Sequence, residues 1–139
     1  MVKILIAPDK FKGSLSAVEA CAAIEKGLRK YGGGVEMILH PMADGGEGTL
    51  DVLGKYMLLQ NIAIEVADPL FRSISVFYKK NNKTAYVEMA AASGLQRLKE
   101  NERNCLYTTT YGTGEMIRHA VENGARKIYL FVGGSATND

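Results

Sequence analysis

The segment Ile128-Tyr129-Leu130-Phe131-Val132-Gly133-Gly134-Ser135-Ala136-Thr137-Asn138-Asp139 decides the fold class. Its apolar run predicts a buried strand. The glycine pair and hydroxyl residues after it predict a turn that brings backbone N–H groups up to an anion. The helix that should follow such a turn is missing, so the chain reads as truncated. Two upstream segments have the same form. Ile4-Leu5-Ile6 runs into Ala7-Pro8-Asp9-Lys10-Phe11-Lys12-Gly13-Ser14-Leu15-Ser16-Ala17, and Val35-Glu36-Met37-Ile38-Leu39 leads to Pro41-Met42-Ala43-Asp44-Gly45-Gly46-Glu47-Gly48-Thr49. In open α/β sheets the carboxyl ends of the strands form the ligand crevice. Three polar loops at three such ends point to a charged, phosphorylated ligand.

Between these segments the chain alternates strand and helix. Residues 2–7 read as a buried parallel strand, nearly continuous in apolar side chains, and Ser16 with Glu19 forms a capping box for a helix that runs to about Tyr31. Gly32-Gly33-Gly34 stops that helix, and residues 35–39 are the next strand. Asp44 is expected to cap a second helix, with Glu47 as its partner. Residues 62–67, 73–78 and 84–88 then read as strands without intervening helices, with a hairpin turn at Asn81-Asn82. Thr113-Gly114-Glu115 opens a further helix, which Asn123-Gly124 closes. The expected architecture is α/β: a Rossmann-like or flavodoxin-like parallel sheet flanked by helices, built from residues 1–60 and 108–139. Residues 61–107 form an inserted, smaller, strand-rich domain.

Composition narrows the function classes. The 17 basic and 15 acidic residues leave a net charge of +2, which gives no case for nucleic acid or an anionic membrane as partner. No apolar segment approaches transmembrane length, and the N-terminal one is too short for a signal peptide, so a cytoplasmic location is expected. Cys21 and Cys105 make no disulfide framework, and His40 and His119 lack partners at zinc-ligand spacing. A Walker loop, a dinucleotide fingerprint and the protein-kinase motif set are all absent. The open flank of the last strand leaves an edge for homo-oligomer formation.

Three loops hold the candidate chemistry. A capping box explains Asp44 and Glu47 but not the three glycines among and after them, each of which weakens a first helical turn. Glycines belong there if a ligand approaches the backbone, and Asp44 and Glu47 then suit Mg²⁺ or a general base. Lys10 and Lys12 add positive charge near the start of a helix, a conflict that a bound anion relieves. Thr113 lies between Gly112 and Gly114 at another helix start. Ser93 and Gly94 follow a run of small residues whose simplest use is close packing, with a substrate contact second.

In order along the chain, these motifs resemble the glycerate kinase family. The matching residues are Ala7 to Ala17, Ala43-Asp44-Gly45-Gly46-Glu47-Gly48-Thr49, Asp68-Pro69-Leu70, Ala91-Ala92-Ser93-Gly94-Leu95, Tyr111-Gly112-Thr113-Gly114-Glu115 and Gly133 to Asp139. Each motif is weak alone; the ordered set is specific. Members of that family are longer than this chain. The resemblance implies ATP-dependent phosphorylation of D-glycerate to 2- or 3-phosphoglycerate, with Mg²⁺, in a cleft between two α/β domains. It makes Asp44, Lys12 and Asp139 the catalytic candidates, and Asp9, Lys10, Ser14, Ser93 and Thr113 the substrate-binding ones. Gly45, Gly46, Gly133, Gly134 and Ser135 would cradle phosphates, and Glu47 would hold the metal. The competing readings are an anion-binding α/β module without chemistry, or an inactive fragment, and a kinase for another sugar acid.

Overall fold

Strand β1 (Val2–Ile6) pairs in parallel with β2 (Val35–Leu39), in register from Val2 opposite Val35 to Ile6 opposite Leu39. Helix α1 (Ala17–Tyr31) joins them, so the predicted strand–helix–strand unit is present. The computed structural model describes residues 2–32 and 34–138. Gly33 of the predicted helix stop and Asp139 of the candidate catalytic set lie outside them. The capping box forms as expected: Ser16 Oγ accepts from the Glu19 amide at 3.2 Å, and the Glu19 carboxylate accepts from the Ser16 amide at 2.8 Å. Gly32 ends α1 at φ 71°, a backbone conformation that side chains resist. These elements belong to a first compact unit, Met1–Asp44. The expectation of a strand buried along its length is met only at its end. Ile6 is buried while Val2 and Leu5 are exposed; among the described residues of this unit α1 is the one helix, and it covers one face of the pair.

The second unit, Gly45–Asp139, holds helix α2 (Thr49–Tyr56) and a four-stranded sheet of order β3-β4-β5-β6. Strands β3 (Gln60–Ala67), β4 (Ser73–Asn81) and β5 (Thr84–Glu88) form the predicted antiparallel meander. The hairpin between β4 and β5 turns at Asn82, whose φ is 51°. Helices α3 (Met89–Ser93) and α4 (Tyr111–Glu122) then lead to β6 (Lys127–Phe131), which lies parallel to β5. Val66, Val76, Tyr78, Ala85 and Val87 from the sheet pack with Met116 and Ala120 of α4 to make the core. Among the described residues no helix is long and apolar enough to cross a membrane.

The architecture is α/β, as the sequence indicates, but the partner of the last strand differs. The strand–helix rhythm groups residues 108–139 with residues 1–60 and sets 61–107 apart. The pairing instead joins β6 to β5, the final strand of the strand-rich part. With β4 on one edge and β6 on the other, the backbone N–H and C=O groups of β5 find partners on both sides. Local strand–helix–strand rhythm cannot say which sheet a strand will join.

The turn between β3 and β4 is held by a buried carboxylate. Asp68 accepts from the amides of Leu70 and Arg72 at 2.8 and 2.9 Å and from Arg72 Nε at 2.5 Å, and Arg72 also pairs with Glu102. Burial pushes the Asp68 carboxyl upward, but the Arg72 and Leu70 hydrogen bonds outweigh it and hold the group below the usual aspartate range. The folded state therefore binds this proton less readily than the unfolded chain. Its stabilisation is complete above the unfolded value of about 3.9 and is lost as pH falls below that through the depressed folded value. Asp68→Asn is expected to cost about 1–3 kcal/mol at neutral pH, measured by urea unfolding. The gap from wild type should close on acidification; a gap that persists to about pH 2 would mean the carboxylate charge is not what holds the turn.

Candidate active site

In the first unit the ends of β1 and β2 keep hydrogen bonding past their last residues. The amide of His40 donates to Ile6 O at 2.8 Å, and that of Met42 to Pro8 O at 2.9 Å. This carries Asp44 to Lys10, whose Nζ lies 2.9 Å from the Asp44 carboxylate. Asp9 accepts from the Lys10 amide at 2.6 Å, which shapes the bend after Pro8. Phe11 and Leu15 bridge across a tight turn with Gly13 at φ 71°, and that turn leaves Lys12 and Ser14 exposed. The structure thus brings Asp9, Lys10 and Asp44 together. It also shows that Lys10 meets a carboxylate of its own chain, so the charge conflict read from the sequence does not by itself demand a foreign anion.

Asp44 does not cap a helix. Helix α2 begins at Thr49, with Gly48 as the capping residue at φ 87° and no side-chain cap of its own. The cap comes from 40 residues downstream: Glu88, at the end of β5, accepts from the Gly48 amide at 3.0 Å through Oε1 and from the Leu50 amide at 3.1 Å through Oε2. Glu88 is 7% exposed. Burial raises its pKa, the nearby Asp51 and Glu47 carboxylates add to that, and the two amide hydrogen bonds oppose it. Sequence reasoning missed this residue. The available signal was a lone carboxylate closing the otherwise uncharged strand Thr84–Val87, just before the small residues of α3. Glu47 itself is exposed on the loop.

The two glycine loops of the second unit meet. The Gly133 amide donates to Gly45 O at 2.9 Å. A Cβ on Gly133 would stand 2.7 Å from the Gly46 nitrogen and 2.8 Å from its Cα, so the approach requires glycine. The 133–137 loop is fixed from its other side by Leu95, whose amide donates to Gly134 O at 2.9 Å, and by Ala136, whose amide donates to Ser93 O at 2.9 Å. Ser135 Oγ accepts from the Thr137 amide at 3.0 Å, a local turn closure. Gly45, Gly46, Gly133, Gly134 and Ser135 therefore come together as one backbone-lined patch at the ends of β5 and β6. Ser93 and Thr113 do not open onto it: both are buried, and their hydroxyls share a 2.8 Å hydrogen bond. Helix α4 starts at Tyr111, which places Thr113 inside its first turn rather than at its opening.

The family model described as the glycerate kinase family matches residues 4–139. The chain belongs to the glycerate kinase family. Glycerate kinase of Bacillus cereus is 49% identical over 99% of this chain, and glycerate 2-kinase of Escherichia coli K12 is 44% identical over 99%. The crystal structure of a protein from Salmonella typhimurium LT2 described as glycerate kinase 2 superposes with a TM-score of 0.72 at 44% identity over 99% of the chain. In each case the chain spans 37% of the relative's length. The segments with special backbone here, at residues 45–48 and 133–134, lie within the residues that match the family.

Proposed function

We propose that the protein carrying this chain transfers a phosphoryl group from ATP to glycerate, with Mg²⁺. The observation that carries the reading is the contact of Gly133 with Gly45 and Gly46, where two glycine loops approach more closely than any side chain would permit. Phosphoryl transfer needs mainly positioning and charge neutralisation, which backbone N–H groups, lysines and carboxylates supply.

The roles follow from residue type and surroundings. Gly45, Gly46, Gly133 and Gly134, with Ser135, cradle the phosphates of the nucleotide. Lys10 and Lys12, with Asp9 and Ser14, hold the glycerate carboxylate and its hydroxyls. Asp44 orients the attacking hydroxyl and accepts its proton, with Lys10 fixing its carboxylate. Mg²⁺ needs only one or two carboxylates beside phosphate oxygens and water, a need that exposed Glu47 fits. When bound, the metal would neutralise phosphate charge. Ser93 and Thr113 support the phosphate loop from behind, through the Ser93 carbonyl and their shared hydrogen bond. Asp139 stays a candidate for catalysis by its place in the family motif.

The test is glycerate-dependent ADP release in the presence of Mg²⁺, by this chain and by a polypeptide of the relatives' length that carries it, each with a control lacking glycerate. Turnover by the longer polypeptide is expected, and identification of the product gives the position phosphorylated. Its absence would favour an anion-binding module. In the active form Asp44→Asn should lower kcat by more than about tenfold, a barrier increase above roughly 1.4 kcal/mol; a smaller loss removes Asp44 from the chemistry.

A further inference from the structure

Helix α2 has an unusual start. Its capping residue, Gly48, has no side chain to satisfy the first amides, and at φ 87° it holds a left-handed backbone that a serine or aspartate cap, which needs extended backbone, would resist. The chain instead uses a buried glutamate from another strand, with the like charges of Glu47 and Asp51 nearby. Placing an ionisable group in such surroundings is costly. A cap chosen only to start a helix would not need it.

The arrangement fixes more than a helix end. Glu88 grips the loop at Gly48 and Leu50, and Gly133 grips it at Gly45 through the Gly45 carbonyl. Both grips come from the ends of adjacent parallel strands, β5 and β6, a rigid base. Between them lie Gly46 and Glu47, flanked by Gly45 at φ 89° and Gly48 at φ 87°. Glycines at those angles have many alternatives when untethered. We infer that Glu88 is a positioning residue for the phosphoryl transfer, holding the Gly45–Gly48 loop in the one conformation that receives the phosphates of the donor nucleotide. The inference rests on the reading of those glycines as a phosphate cradle.

The test uses the protein at its native length. Glu88→Gln keeps the shape but leaves one carbonyl oxygen where two oxygens accepted. It should raise KM for ATP at least tenfold and lower kcat at least tenfold, with KM for glycerate within about threefold of wild type. Glu88→Asp, which keeps both oxygens, should recover part of the ATP affinity, and it takes the place of Glu88→Gln if that variant does not fold. A residue that merely held the fold together would lower the active fraction and leave both KM values alone, so unchanged KM for ATP in the folded variant overturns the inference while the kinase reading stands. A wild-type protein of native length without glycerate-dependent turnover overturns the reading and the inference together.

Discussion

Replacing Gly133 by alanine is expected to lower turnover of the native-length protein about a hundredfold while leaving it folded. The added methyl carbon would meet the Gly46 nitrogen at 2.7 Å, Gly46 Cα at 2.8 Å and the Gly45 carbonyl carbon at 2.9 Å. All three are backbone atoms, so no side chain can rotate away, and the two loops must part until the contacts reach the ordinary 3.4 Å or more. That separation also weakens the 2.9 Å hydrogen bond from the Gly133 amide to Gly45 O. A displacement on the order of 1 Å among groups that position a reacting phosphate costs about 10²-fold in rate. The strain falls on two loops that contribute nothing to the core of Val66, Val76, Tyr78, Met116 and Ala120, so the melting temperature should fall less than for a clash inside that core. Gly134→Ala is the contrast. Its methyl would make an ordinary 3.6 Å contact with the Ala90 methyl, and only the backbone at φ 76° resists it. Its effect should be far smaller. Steady-state kinetics of the two variants provide the check, and near-normal turnover in Gly133→Ala would remove these loops from phosphate binding.

Gly112→Ala should instead destabilise the second unit, by about 3 kcal/mol or more, the upper end for overpacking. A Cβ at that position would lie 1.8 Å from Ala67 O and 2.9 Å from Ala67 C. Helix α4 meets strand β3 there with no space between them, and the Glu115 carboxylate ties the same two elements by accepting from the Ala67 amide at 2.8 Å. To admit the methyl, α4 must move off the sheet. That withdraws Met116 and Ala120 from the core they share with Val66, Val76 and Tyr78. Urea unfolding measures the loss. A change under about 0.5 kcal/mol, the range of ordinary surface substitutions, would mean that α4 does not pack on β3 this closely. Gly114, two residues on, would meet nothing within 4 Å and serves as the tolerant control.

Gly112 also marks where reading the sequence succeeds and fails. A glycine beside Thr113 reads from the sequence equally well as part of a capped helix start or as a loop near a ligand, and the position of Ala67 shows a further use, close packing. The first strand–helix–strand unit was legible because its signals are local: Ser16 and Glu19 are three residues apart, and Gly32 needs only its own φ. The turn at Asn82 was legible for the same reason. The glycine loops were legible as types, since glycines that weaken a helix start call for another use. Glu88 was not, because its partners lie 40 and 38 residues away and nothing near position 88 announces them. The β5–β6 pairing was hidden likewise, as parallel register leaves no turn signature between the strands. The family was visible because six weak motifs in fixed order are jointly specific even where the role of each residue is not.

The distance between Gly45 and Gly133 has a consequence for how the molecule is made. The β1–β2 pairing is complete in sequence by residue 39, early in synthesis. The glycine loop that follows cannot settle then. Glu88 must first arrive on a finished meander, and Gly133 only after α4 and β6. At the usual pace of synthesis the loop waits about 4–18 s for its last tether. During that interval the loop lacks one or both of the tethers that fix Gly45, Gly48 and Leu50, and it takes its final conformation only once residue 133 has been made.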